Sequence, residues 1–297
     1  MPTTLLRPSL PAGTAVIGGY FAARVAVGAV VALPLASAVG AITGGFPRSD
    51  AVLWEPGGVM LLETGRLLEP MAAGIAWSSA ALLVVGLFAL LLPLGALLAS
   101  FGPAPPGGSR RPLAMRRLLG RAGASWGTLG LTQGIVLLGQ ALLLGLFDLL
   151  GRLLARSLEL GYEGQHITEL AVLAVGLWAA WVLGVAQDVA RIAVVQHRRR
   201  LIGALEVTLR VLGSGFWRVL LAAAWRGVLV VGLLLVAGWV GISIDPTRPG
   251  QAVLGGVVHL GGVLGAVLVR VSWLRWLTDR VVLAWGPPRE AVPVSAD

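Results

Sequence analysis

Apolar residues in this chain gather into runs longer than a buried strand or core helix requires. Six blocks stand out, at about 15–43, 71–101, 124–150, 167–190, 216–244 and 252–277. Hydrocarbon about 30 Å thick is crossed by a helix of about 20 residues, so each block is long enough to span. Several exceed that length, which predicts tilt or a partly interfacial start. The pattern predicts an all-α polytopic membrane bundle. Its six transmembrane helices would form three hairpins with amphipathic cytoplasmic elbows, as one membrane domain over 1–297.

The stretch Asp188 to Arg218 separates two of these blocks and is the most basic part of the chain. Within it Ile202, Leu205, Leu209 and Leu212 recur at steps of three and four, the spacing of one helical face. Arg199, Gly203, Glu206 and Arg210 fall on a narrower stripe, where Glu206 and Arg210 form an i,i+4 pair. This predicts an interfacial helix leading into the next span. Its apolar side would sink to acyl depth while Arg residues meet anionic headgroups at about 1 kcal/mol each. A docking helix for a cytoplasmic partner is the alternative.

The connections differ in character. The first outer loop, Phe46 to Pro70, is broken by Pro47 and the EPGG at 55–58, and Gly58 to Glu69 predicts a short surface helix. The segment 151–166 carries both signs of charge and is a second candidate surface helix. Asp245 to Gln251 reads as a short turn. The link 102–121 opens with GPAPPGGS, a flexible linker, and ends as the basic run RRPLAMRRLLGR. RLLG at 117–120 and RVLG at 210–213 each precede an odd-numbered span, with Trp126 and Trp217 shortly after. Three repeated units of elbow plus hairpin are the expectation, the first beginning at LLRPSLPAG.

Charge orients the spans. All 23 basic residues are Arg. Fifteen lie on the side of the termini and five on the other, and the positive-inside rule then puts both termini in the cytoplasm of a bacterial inner membrane. Only 12% of residues are charged and 57% are hydrophobic, with mean hydropathy +0.86. A soluble domain has about 25% charged residues, so a soluble class is excluded. The net charge of +9 sits beside apolar spans, so lipid headgroups explain it better than nucleic acid. Cysteine is absent, which removes disulfides, thiol catalysis and Cys-based metal sites. The amino-terminal run has no clear cleavage site and reads as a retained first span.

Polar side chains inside the spans are the candidate site residues, because a central charge costs about 3 kcal/mol on insertion scales. Arg24 and Arg226 each lie about ten residues into a block. Either they snorkel to the cytoplasmic face or they line a cavity for an anionic substrate or lipid. Asp188 and Arg270 lie near the cytoplasmic ends of the fourth and sixth spans. An ion pair between them would offset burial, and Arg191 is an equally good local partner for Asp188. Gln133, Gln140 and Gln187 can hydrogen-bond between helices. Trp54, Trp126, Trp217, Trp273, Trp276 and Trp285 fall near the interfaces and read as an aromatic belt. In the sixth span Gly255, His259, Gly262, Ala266 and Arg270 share one face, and Gly261 to Gly265 has GxxxG spacing.

No phosphate loop, HExxH or carboxylate cluster is present, and His166, His197 and His259 fall at different depths. No catalytic residue, metal or cofactor is expected. The expected partners are membrane lipids, with their anionic headgroups on the cytoplasmic face, and a protein partner or second copy, but no nucleic acid.

Two resemblances follow from quoted motifs. His259-Leu-Gly-Gly followed by Ala266 resembles the last span of rhomboid intramembrane proteases, which are six-pass. That family needs a Ser nucleophile in GxSG on the fourth span, and ITELAVLAVGLWAAWVLGVAQDVAR has no Ser. Gly213-Ser214-Gly215 lies in the cytoplasmic elbow instead. The outer LLETGRLLEP, the DVARIAVV of the fourth span and ALEVTLRVLGSGFWR together resemble a group of bacterial six-pass inner-membrane proteins. These are similar to the membrane domain fused to some glycerophosphodiesterases, and the resemblance transfers no catalytic residue. The expected function is a non-enzymatic scaffold or membrane subunit. The alternative is a transporter or permease subunit for a lipid or anionic small molecule, with Arg24, Arg226, Gln133, Gln140 and His259 converging on a cavity. A rhomboid-like protein lacking the catalytic serine is a more remote alternative.

Overall fold

The computed structural model describes residues 14–46, 59–101, 115–158, 161–244 and 249–286. Among these, every regular element is a helix. In order they are α1 (Thr14–Thr43), α2 (Val59–Leu68), α3 (Ala72–Ala89), α4 (Leu91–Ser100), α5 (Met115–Ser157), α6 (Tyr162–Gln196), α7 (Leu201–Gly213), α8 (Phe216–Ile242) and α9 (Pro249–Trp285). A single 3-10 turn, Glu69–Met71, joins α2 to α3. Six helical stretches are long and apolar enough to cross a membrane, and they correspond to the six blocks of the sequence.

Local chemistry explains where the helices stop and break. The second span is interrupted at Leu90. Pro93 cannot donate to the carbonyl of Ala89, and its ring crowds that carbonyl, so the ladder breaks one residue later. Helical bonding resumes with the Leu94 amide donating to Leu90 O at 3.0 Å. At the end of α6 the chain turns through Arg198, at φ 48°, and the Arg199 amide reaches back to Ala193 O at 3.3 Å. Glycine is usual at such a left-handed cap; here arginine occupies it. The end of α9 has the usual residue, Gly286 at φ 95°, whose amide donates to Val282 O.

Several boundaries differ from the sequence reading. The basic run at 116–121 forms the opening turns of α5 rather than a separate elbow. Its Leu118 and Ala122 are buried, which gives these turns a packed face despite the arginines. Among its described residues, segment 151–166 contains no separate surface helix: α5 runs to Ser157 and α6 starts at Tyr162. Of the three expected elbows, α7 alone is a separate helix among the described residues; residues 1–13 and 102–114 lie outside them. The short helix expected over 58–69 is present as α2.

The chain divides into two compact units. The first comprises Met1–Leu97 and Trp225–Ser272, and the second comprises Leu98–Ala224 and Trp273–Asp297. In the first, α1 packs against α3, where Gly86 leaves room for Val27. The α8 and α9 portions of that unit approach through small residues. A Cβ on Gly262 would lie 2.7 Å from the Ala237 Cβ, and one on Gly265 would lie 3.1 Å from Leu233 Cδ1. Gly261 has nothing within 4 Å of that position, so of the GxxxG pair Gly265 makes the close approach, together with Gly262.

In the second unit α5 and α6 form a long antiparallel hairpin. Contacts pair Gly139 with Leu183, Phe147 with Gly176 and Gly151 with Glu169, the numbers rising on one helix as they fall on the other. Helix α7 folds back on α6, burying Ala204, Val207, Thr208 and Val211. Ile202, Leu205 and Leu209 stay exposed on another side, so α7 is amphipathic.

Candidate functional site

A buried polar cluster lies in the second unit, built from α5, α6 and the later turns of α9. Helix α6 supplies Gln187, Asp188 and Arg191, with Asp188 and Arg191 three apart and so adjacent on the helix. Helix α5 supplies Gln133 and α9 supplies Trp273. Gln133, Gln187, Asp188, Arg191 and Trp273 are all buried.

Their hydrogen bonds interlock. Arg191 Nη1 donates to Asp188 Oδ1 at 3.0 Å, and Trp273 Nε1 donates to Asp188 Oδ2 at 2.8 Å. Gln187 Nε2 donates to Gln133 Oε1 at 3.1 Å, and Arg191 Nη2 donates to the same oxygen. Arg191 thus ties the carboxylate to the amide pair, and both carboxylate oxygens hold a donor. Charge-assisted bonds of this kind are about twice as strong as neutral ones, and burial raises the cost of losing one partner. The arrangement suits a clamp joining three helices. Nearby, Gln196 Nε2 donates to Leu98 O, a further tie from α6.

Gln140 lies two turns from Gln133 on α5 and donates to Ala180 O at 2.9 Å. Asp188 takes Arg191 as an ion-pair partner at 3.0 Å, as one of the two sequence alternatives expects. Arg24, Arg226, His259 and Arg270 belong to the first unit. Arg24 is half-buried, its guanidinium 5.7 Å from the Tyr20 ring centroid. Arg226 is buried and Arg270 half-buried. His259 is exposed, with Nδ1 2.8 Å from Gly255 O, and its ring packs against Gly241.

Trp273 escaped the sequence reading, which grouped it with the interfacial aromatics. It is buried and anchors Asp188, whereas Trp126 and Trp217 are exposed as a belt residue would be. Trp54 lies outside the described residues. The available signal was a Trp on a face of α9 with Leu274, Leu277 and Val281, all buried. A buried indole N–H calls for an acceptor.

At the end of α6, His197 has its Nε2 buried with no hydrogen-bond partner among the described residues. Burial, and then the positive charge of Arg199, hold its pKa below the ordinary histidine value. Among the described residues no three His, Asp or Glu side chains are grouped to hold a metal ion.

Comparison with protein families, curated proteins and solved structures gives no match to the chain. What the fold itself defines is a class: a multi-pass α-helical membrane protein with a buried polar clamp.

Proposed function

We propose that the chain is a non-enzymatic scaffold or membrane subunit of the bacterial inner membrane. Both termini face the cytoplasm, and the arginine-rich helix ends lie at the inner leaflet. The observation that carries the reading is the polar clamp. Gln133, Gln187, Asp188, Arg191 and Trp273 are joined by hydrogen bonds across three helices, which suits holding helices in register. Gln140, which a transport path would need, donates to a backbone carbonyl. Membrane-exposed leucines and valines supply apolar contact area for lipid or for a neighbouring span.

The test is extraction of the full chain from native membranes into polymer-bounded lipid discs, without detergent. The scaffold reading expects one protein partner at fixed stoichiometry through size exclusion. The chain emerging alone at every expression level, with a small molecule bound, contradicts it and favours the transport alternative.

A further inference from the structure

Helix α7 leads into a small basic cavity that the polar clamp does not use. The turn after α7 is held by the Ser214 amide donating to Arg210 O at 2.9 Å and the Gly215 amide donating to Leu212 O at 3.3 Å. With the end of α9, this turn and the first turns of α8 enclose about 240 Å³. Its lining includes Val211, Ser214, Arg218, Val219, Arg280 and Leu283, all within the second unit.

The lining has two cations and, among the described residues, no carboxylate. Arg280 sits with its guanidinium carbon 5.0 Å from the Trp276 ring centroid, a contact that leaves N–H donors for an oxyanion. Ser214 Oγ donates to Val211 O at 3.0 Å, so the side-chain donors left for a ligand are the two guanidinium groups. Nearby, Arg199 and Arg210 stack on Trp285 at 5.2 and 4.6 Å, and Glu206 pairs with Arg210 at 3.4 Å. Val211, Val219 and Leu283 provide apolar walls beside the charges. Paired arginines suit phosphate oxygens, and apolar walls suit the glycerol and first methylenes of a lipid.

We infer that this cavity binds a phosphate group, carried by an anionic phospholipid headgroup or free in solution. The inference rests on the reading that the α7–α8 turn lies at the bilayer surface. Arg218 and Arg280 hold the phosphate, and the exposed Ile202, Leu205 and Leu209 keep α7 at headgroup depth beside it.

The experiment measures binding of short-chain phosphatidylglycerol to the full chain in neutral detergent, by native mass spectrometry. Phosphatidylcholine of equal chain length and inorganic phosphate serve as competitors. The Arg218→Gln/Arg280→Gln double variant should bind about tenfold or more weakly. Ser214→Trp, which fills the cavity while keeping both charges, should lose binding to a similar degree. Arg116→Gln, at an exposed arginine outside the cavity, should leave affinity unchanged. Displacement of the lipid by inorganic phosphate would assign the site to free phosphate, and resistance to it would assign the site to the lipid. Unchanged affinity in the double variant or in Ser214→Trp overturns the inference, as does equal competition by phosphatidylcholine. Binding to the solubilised chain needs no protein partner, so this result and the scaffold test fail independently.

Discussion

The two units reach stability by different means. In the first, helices approach where a side chain is missing: Gly86 against Val27, Gly262 against Ala237, Gly241 against the His259 ring. In the second, glycines also admit close contact, as Gly176 does for Phe147, but an ion pair, two amides and an indole are buried on top. Lipid offers no hydrophobic gain for joining two apolar helices, so packing and polar bonds must do it. The close approaches described in the first unit are made by shape, beside a buried Arg226. The second adds bonds that are costly to leave half-made, and it is also the unit with the amphipathic α7 and the basic cavity.

The sharpest way to break this contrast is Asp188→Ala. It leaves Arg191 and the Trp273 N–H buried without their carboxylate. The expected loss is about 3 kcal/mol or more, read by denaturant titration in mixed micelles. Hydrogen exchange should rise in α5 and α6 and leave α1 and α3 unchanged. A uniform rise across the chain would erase the distinction. Gly262→Leu probes the other unit by overpacking the Ala237 contact, at an expected cost of about 1–3 kcal/mol with exchange confined to the first unit.

Smaller effects refine the picture. Gln140→Leu should cost about 1 kcal/mol or less, because one interhelical amide bond in lipid is worth little alone. Comparable losses for Gln140→Leu and Asp188→Ala would mean that the clamp is not cooperative.

The weakest expected effect is a pH dependence from His197. Its folded pKa lies below its unfolded value, so the unfolded state takes up a proton first as pH falls. Its stabilisation is complete above the unfolded value of about 6.5 and declines as pH drops through that value toward the folded one. His197→Gln should flatten the stability profile in that window. An unchanged profile would place the pH response elsewhere.

The spans were legible because the hydropathy contrast is large and their length is set by the bilayer. Asp188 with Arg191 was legible from i,i+3 spacing, which needs no tertiary knowledge. What escaped depended on partners distant in sequence. Trp273 reads as a belt residue until Asp188 is placed beside it. The start of α5 was hidden because arginines at 116, 117 and 121 mark a surface, while the burial of Leu118 and Ala122 depends on packing. The break at Leu90 was in principle readable from Pro93, whose effect falls several residues upstream. Gly262 and Gly265 meet α8 while Gly261 does not, because helix rotation, which spacing alone leaves open, decides which small residues face inward.

The absence of cysteine permits the most direct test of the central claim, that these helices thread a membrane with their arginine-rich ends inside. Single cysteines would replace Ser214, in the α7–α8 turn, and Ser243, just beyond α8, both exposed. Right-side-out and inverted inner-membrane vesicles are then treated with an impermeant maleimide. The account predicts labelling of Ser243→Cys only in right-side-out vesicles and of Ser214→Cys only in inverted ones. Labelling of both from the same side would contradict it.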